Sequence, residues 1–144
     1  EIEGILAHEL AHHVHYDIWK TIVRRGAVVL LGCWIAQQAL SASLPLLHLD
    51  GLSDVAGLPI LVICVGCTLL LASPVTNVLS RLSEYRADRF AIDLTGNRDA
   101  FMSGLRRFAA QNLAEERPKA LVKWFFFSHP PVTERLAAVS RYRF

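Results

Sequence analysis

The chain has 144 residues, a length that admits one domain. Its hydrophobic fraction is 53% and its charged fraction 19%, more apolar than a typical globular chain at roughly 45–50% and 25%. The formal net charge of +2 is small, and the basic residues form no aromatic-interleaved stripe, so composition speaks against a nucleic-acid partner.

The chain opens on Glu1 inside a helical pattern and is read as a fragment of a longer protein, to which no signal or transit peptide can be assigned. The first helix is expected over 1–17. Ile2, Leu6, Leu10 and Val14 recur at four-residue steps and make one apolar stripe. Asp17 either ends this helix or caps the next segment.

Two charge-free runs follow, from Gly26 to Leu47 and from Ala56 to Leu79. Each is long enough to cross a hydrocarbon core of about 30 Å as a helix. The spans are set at 26–47 and 57–79, joined by the polar turn HLDGLSDVA. Gln37, Gln38, Pro59, Pro74 and Asn77 interrupt their apolar character. The rival is a pair of buried helices in a soluble domain, but so short a chain has too few other residues to cover both. Lys20, Arg24 and Arg25 precede the first run, and Arg81, Arg86 and Arg89 follow the second. The turn between them carries only Asp50 and Asp54. The positive-inside rule then puts both ends of the hairpin in the cytoplasm. Cys33, Cys64 and Cys67 sit inside the apolar runs and are read as small packing residues rather than a redox or metal pair.

The remainder, 80–144, reads as helical. The second span continues as a long helix that stops at Gly96. An amphipathic helix follows over RDAFMSGLRRFAAQNL, broken by Arg117-Pro118. LVKWFFF is the best strand candidate. Pro130-Pro131 ends that segment and opens a last short helix, VTERLAAVSRY.

The chemistry begins at LAHELAHHVH, which holds four of the six histidines. His8-Glu9-Leu10-Ala11-His12 is H-E-x-x-H. On a helix, positions i and i+4 differ by about 40° in azimuth and about 6 Å along the axis, so two imidazoles can meet at one cation. Glu9 points about 100° away from His8, where it can hold a water that the metal acidifies. A catalytic zinc takes three protein ligands and leaves a position for water, so the motif asks for a third ligand. Glu84-Tyr85-Arg86-Ala87-Asp88 puts two carboxylates at i and i+4 on another helix. One can ligate while the other hydrogen-bonds a ligating histidine. Taken alone, the same stretch also reads as an ordinary charged face in which Glu84, Arg86, Asp88 and Arg89 pair with each other. His13 falls off the ligand arc, His15 lies about a turn beyond His12, and His48 lies in the turn of the hairpin.

AHELAHHVHYD, a two-span insert, SRLSEYRAD and FSHPPVTERLAAV, in that order, resemble the membrane zinc metalloproteases of the HtpX and CAAX prenyl protease group. The resemblance covers nearly the whole chain. It implies one zinc ion (Zn2+) held by His8, His12 and Glu84, with Glu9 as general base and Asp88 behind a ligating histidine. It places His129 near the zinc, to stabilise the oxyanion or position substrate. Arg135 is expected to pair with an acidic group near the site. The fold class expected is mostly α, the helices of a zincin-like metalloprotease with an inserted two-span transmembrane hairpin, in one domain over 1–144. The expected function is that of a zinc-dependent endopeptidase of the membrane, with protein or peptide substrates, the lipid bilayer as partner and the site facing the cytoplasm of a bacterial membrane. Membrane-protein quality control is one role. A CAAX protease and a non-catalytic zinc-binding scaffold are the alternatives, and the two-span insert is closer to HtpX than to the prenyl protease. Leu49-Asp50-Gly51 also resembles the L-D-G motif of site-2 intramembrane proteases, in which Asp50 would ligate.

Overall fold

The computed structural model of the protein describes residues 1–111 and 118–142. Among these residues there are six α-helices, one short 3-10 turn and no strand. The helices are α1 (Ile2–Val14), α2 (Asp17–Leu47), α3 (Leu58–Thr95), α4 (Arg98–Gln111), α5 (Ala120–Phe126) and α6 (Val132–Arg141). The chain divides into two compact units. One comprises Glu1–Thr21 with Val75–Phe144, and the other Ile22–Pro74.

The second unit is a helical hairpin. Both of its helices belong to elements long and apolar enough to cross a membrane, with mean hydropathies of 1.5 and 2.6 over their most apolar windows. The helices run close together at Gly32, where an added Cβ would stand 3.1 Å from the Val65 Cα. Small residues of this kind let helix backbones approach in lipid. Pro74 does not break α3. A proline cannot donate to the carbonyl one turn back, and here the Ser73 hydroxyl donates to that carbonyl, Leu70 O, at 2.8 Å. In the turn, Asp54 caps the 3-10 segment by accepting from Ala56 N at 2.9 Å. Cys33, Cys64 and Cys67 are free thiols. Cys64 is half-buried, but Cys33 and Cys67 are exposed on the hairpin, so packing within it does not account for them.

The first unit holds the chemistry. Its core joins Ala7 of α1, Ala91 and Ile92 of α3, Phe101 and Leu105 of α4, and Val139 of α6. The apolar stripe of α1 is not its buried face. Ile2 and Leu6 are 75% and 64% exposed, whereas Gly4, Ala7, His8 and Ala11 are buried. Small side chains on that face allow close approach: a Cβ on Gly4 would stand 3.1 Å from the Phe101 ring. The helix is also shorter than expected. His15 closes it and Tyr16 adopts φ +55°, so Asp17 begins α2 instead of extending α1. At the other end of α3, Gly96 at φ +63° donates to Ile92 O at 2.8 Å, the left-handed stop that glycine accepts without strain.

All of LVKWFFF except its last residue, Phe127, is helical, not extended. Aromatic residues favour strands only where a pleated surface receives them. Here two side chains of α3 meet the carbonyls that a short helix leaves open at its C-terminus. Asn77 donates to Phe125 O at 2.9 Å and Arg81 to Phe127 O at 2.5 Å. The expected break at Arg117-Pro118 falls partly outside the described residues.

Ile92 is fully buried at the centre of the core. Ile92→Ala is expected to cost about 2–5 kcal/mol, measured as a fall in denaturation free energy. A cost below about 1 kcal/mol would show that this core does not hold the unit together.

Candidate metal centre

Two helices meet at this site. On α1, His8 and His12 lie one turn apart, and their rings stand edge to face at 4.9 Å between centroids. On α3, Glu84 faces both. Its Oε2 lies 3.5 Å from His8 Nε2, and its Oε1 lies 3.4 Å from His12 Nε2. Candidate ligand atoms from His8, His12 and Glu84 all fall within 4.8 Å of one another. Two imidazoles and a carboxylate on one centre suit a divalent transition metal.

Behind each imidazole stands a carboxylate. His8 Nδ1 is 3.0 Å from Asp88 Oδ1, and His12 Nδ1 is 3.0 Å from Asp17 Oδ2. Each of these carboxylates is held by an arginine. Arg135 of α6 donates Nε to Asp88 Oδ2 at 2.8 Å and also bonds Oδ1. Arg86 of α3 bonds Asp17 Oδ1. A nitrogen that donates at Nδ1 leaves Nε2 free to ligate.

The electrostatics follow from burial. Glu84 and Asp88 are both buried, and Arg135 is the buried guanidinium that faces both. Burial opposes a charged His8, but hydrogen bonds to Asp88 and Glu84 outweigh it and push the imidazole up to about 9. Burial also pushes Glu84 and Asp88 up. In both cases a hydrogen bond to His8 and the charge of Arg135 hold the carboxyl below its ordinary range. The pocket therefore favours positive charge between the two helices.

The other expected residues sort as follows. Glu9 is exposed on α1 beside His8. His129 lies in the segment after α5, with Nε2 3.5 Å from Glu84 Oε1 and a side chain 69% exposed. Its Nδ1 is 3.0 Å from Ser128 Oγ. His13 is exposed, and His15 packs edge-on to Phe90 at 5.7 Å. Neither belongs to the ligand group, nor does Asp50 of the hairpin turn, whose amide donates to Asp54 at 3.2 Å. Sequence reasoning passed over Asp17 and Arg86 as parts of the site. The available signal was the five-residue step from His12 to Asp17. Tyr85 was also missed: its hydroxyl donates to Glu134 Oε2 at 3.1 Å, and Lys123 bonds the same carboxylate at 2.6 Å.

The profile of Peptidase family M48 matches residues 1–143. The uncharacterized metalloprotease YhfN of Bacillus subtilis is 31% identical over 140 residues, covering 94% of this chain and 33% of the relative. A protease HtpX homolog of Campylobacter concisus is 30% identical over 161 residues, covering 98% of this chain and 54% of the relative. Another from Syntrophotalea carbinolica is 30% identical, with 94% and 54% covered. The chain thus spans between a third and about half of the length of these relatives.

Arg135 neutralises a carboxylate that is 2% exposed. Arg135→Met is expected to cost about 3–5 kcal/mol, the penalty for a buried charge stripped of its partner. Thermal denaturation of the metal-stripped protein measures it, and an unchanged midpoint would contradict the electrostatic account.

Proposed function

The chain belongs to peptidase family M48, and from that membership we propose that its protein is a zinc-dependent endopeptidase. In this reading His8, His12 and Glu84 hold the ion and Glu9 is the general base. The observation that carries it is the convergence of one carboxylate from α3 with two imidazoles from α1. Zinc at this position supplies a Lewis acid for the scissile carbonyl and acidifies water.

The chain's own residues do the rest. Glu9, one position from His8 and in contact with solvent, takes the proton of the attacking water on its carboxylate. It passes that proton to the departing amine as the C–N bond breaks and a C–O bond forms. Asp88 and Arg135 hold His8 in the tautomer that ligates through Nε2. His129, beside Glu84 but open to solvent, donates to the oxygen on which negative charge develops.

Two helices able to cross a bilayer support a membrane setting. The basic residues flanking the spans and the acidic turn between them support a site that faces the cytoplasm. The substrates are then polypeptides at the membrane, as in the quality-control role that the resemblance to HtpX implies.

The test uses the full-length protein. Glu9→Gln is expected to retain zinc while cleavage of a casein-type substrate falls by about 10²–10⁴-fold, the scale of a lost general base. His8→Ala and Glu84→Ala are expected to lose both metal and activity. Undiminished cleavage by Glu9→Gln would end this reading.

A further inference from the structure

We infer that Asp17, clamped by Arg86, is a positioning residue that aims His12 at the metal; the inference rests on the zinc reading above. It begins with a corner in the chain. His15 ends α1, Tyr16 takes a left-handed conformation at φ +55°, and α2 starts at once with Asp17. Tyr16 N bonds His13 O at 3.1 Å, and Lys20 N bonds Tyr16 O at 3.0 Å. The corner is therefore hydrogen-bonded on both sides. It turns Asp17 back onto the helix it has just left, and the carboxylate reaches His12 five residues earlier.

The Asp17 side chain is only 9% exposed, and both of its oxygens are engaged. Oδ2 meets His12 Nδ1 at 3.0 Å. Oδ1 takes the guanidinium of Arg86, two residues after Glu84 on α3. Burying a carboxylate is costly unless it is paired and hydrogen-bonded, and here the pairing has a direction. With Nδ1 donating to Asp17, the His12 ring cannot flip without losing that bond. Its Nε2 stays turned toward Glu84, 3.4 Å away.

The arrangement repeats the one at His8. There Arg135 holds Asp88, and Asp88 lies 3.0 Å from His8 Nδ1. Both ligating imidazoles thus have the same backing, a guanidinium and a carboxylate, supplied by different elements. An Asp17 that merely tied α2 to α3 would need Arg86 alone and would have no reason to meet an imidazole at hydrogen-bond distance. Partners of this kind are worth about 10–100-fold in metal affinity.

The experiment measures zinc affinity of the full-length protein by competition with a chromophoric chelator. Asp17→Asn is expected to raise the zinc dissociation constant about 10-fold or more. Arg86→Gln, at a side chain that is 43% exposed, is expected to raise it less, and His13→Ala not at all. Excess zinc is expected to restore peptide cleavage to Asp17→Asn. The metal-stripped variants report folding separately through their thermal midpoints. If Asp17→Asn does not fold, Arg86→Gln decides. Wild-type zinc affinity in both variants, with only the midpoint lowered, would overturn the inference and leave Asp17 a structural tie. A wild type that binds zinc but cleaves no peptide would sink the peptidase reading alone.

Discussion

Two carboxylates one helical turn apart, Glu84 and Asp88, lie in the interior of a small helical unit, and one buried guanidinium faces them both. A buried charge without a partner costs several kcal/mol, so the fold has to bring positive or hydrogen-donating groups to these oxygens. α6 brings Arg135 and α1 brings His8. The raised affinity of His8 for a proton is the direct sign of this demand. Of the two carboxylates, Glu84 also faces His12, and with both imidazoles it forms a group that could hold a metal ion. The candidate ligand group thus follows from how α3 is buried.

The packing around the site is arranged for close approach more than for bulk. Ala7, Ala11, Ala87 and Ala91 are all but inaccessible, and with Gly4 they give α1 and α3 faces of small side chains. The large apolar residues, Ile92, Phe101 and Leu105, flank this seam, and the Phe101 ring lies 6.4 Å from that of His8. Small residues keep the helix backbones near enough for short side chains such as Asp88 to reach an imidazole. Larger ones would separate the helices and leave the carboxylates to water.

What could be read from the sequence was whatever depends on helical spacing alone. His8 and His12, Glu84 and Asp88 are i, i+4 pairs, and the face each pair shares follows from 3.6 residues per turn. The two apolar runs were legible for the same kind of reason, although α2 begins at Asp17, well before Gly26, because a helix need not end where its charges begin. What could not be read depends on a corner or on a distant partner. Asp17 reaches His12 only because Tyr16 turns left-handed, and a tyrosine gives no hint of that. The aromatic segment is helical because Asn77 and Arg81, more than forty residues earlier, meet its carbonyls. The stripe of Ile2, Leu6, Leu10 and Val14 misled, since burial on α1 follows the small residues and the ligand histidine instead.

Exposure across the site is graded, and the gradient has a direction. The side chains of Glu84 and His8 are 8% and 10% exposed, His12 is 20% exposed, and His129 is 69% exposed. Asp88 and Arg135 close the His8 side with a bidentate ion pair. His12 and His129 are more open, and Glu9 faces solvent. For a peptidase this asymmetry divides the labour. The closed side fixes a ligand in a medium where its hydrogen bonds are strong. In the proposed peptidase reading the more exposed groups, His129 and Glu9, are the ones left within reach of water and a polypeptide.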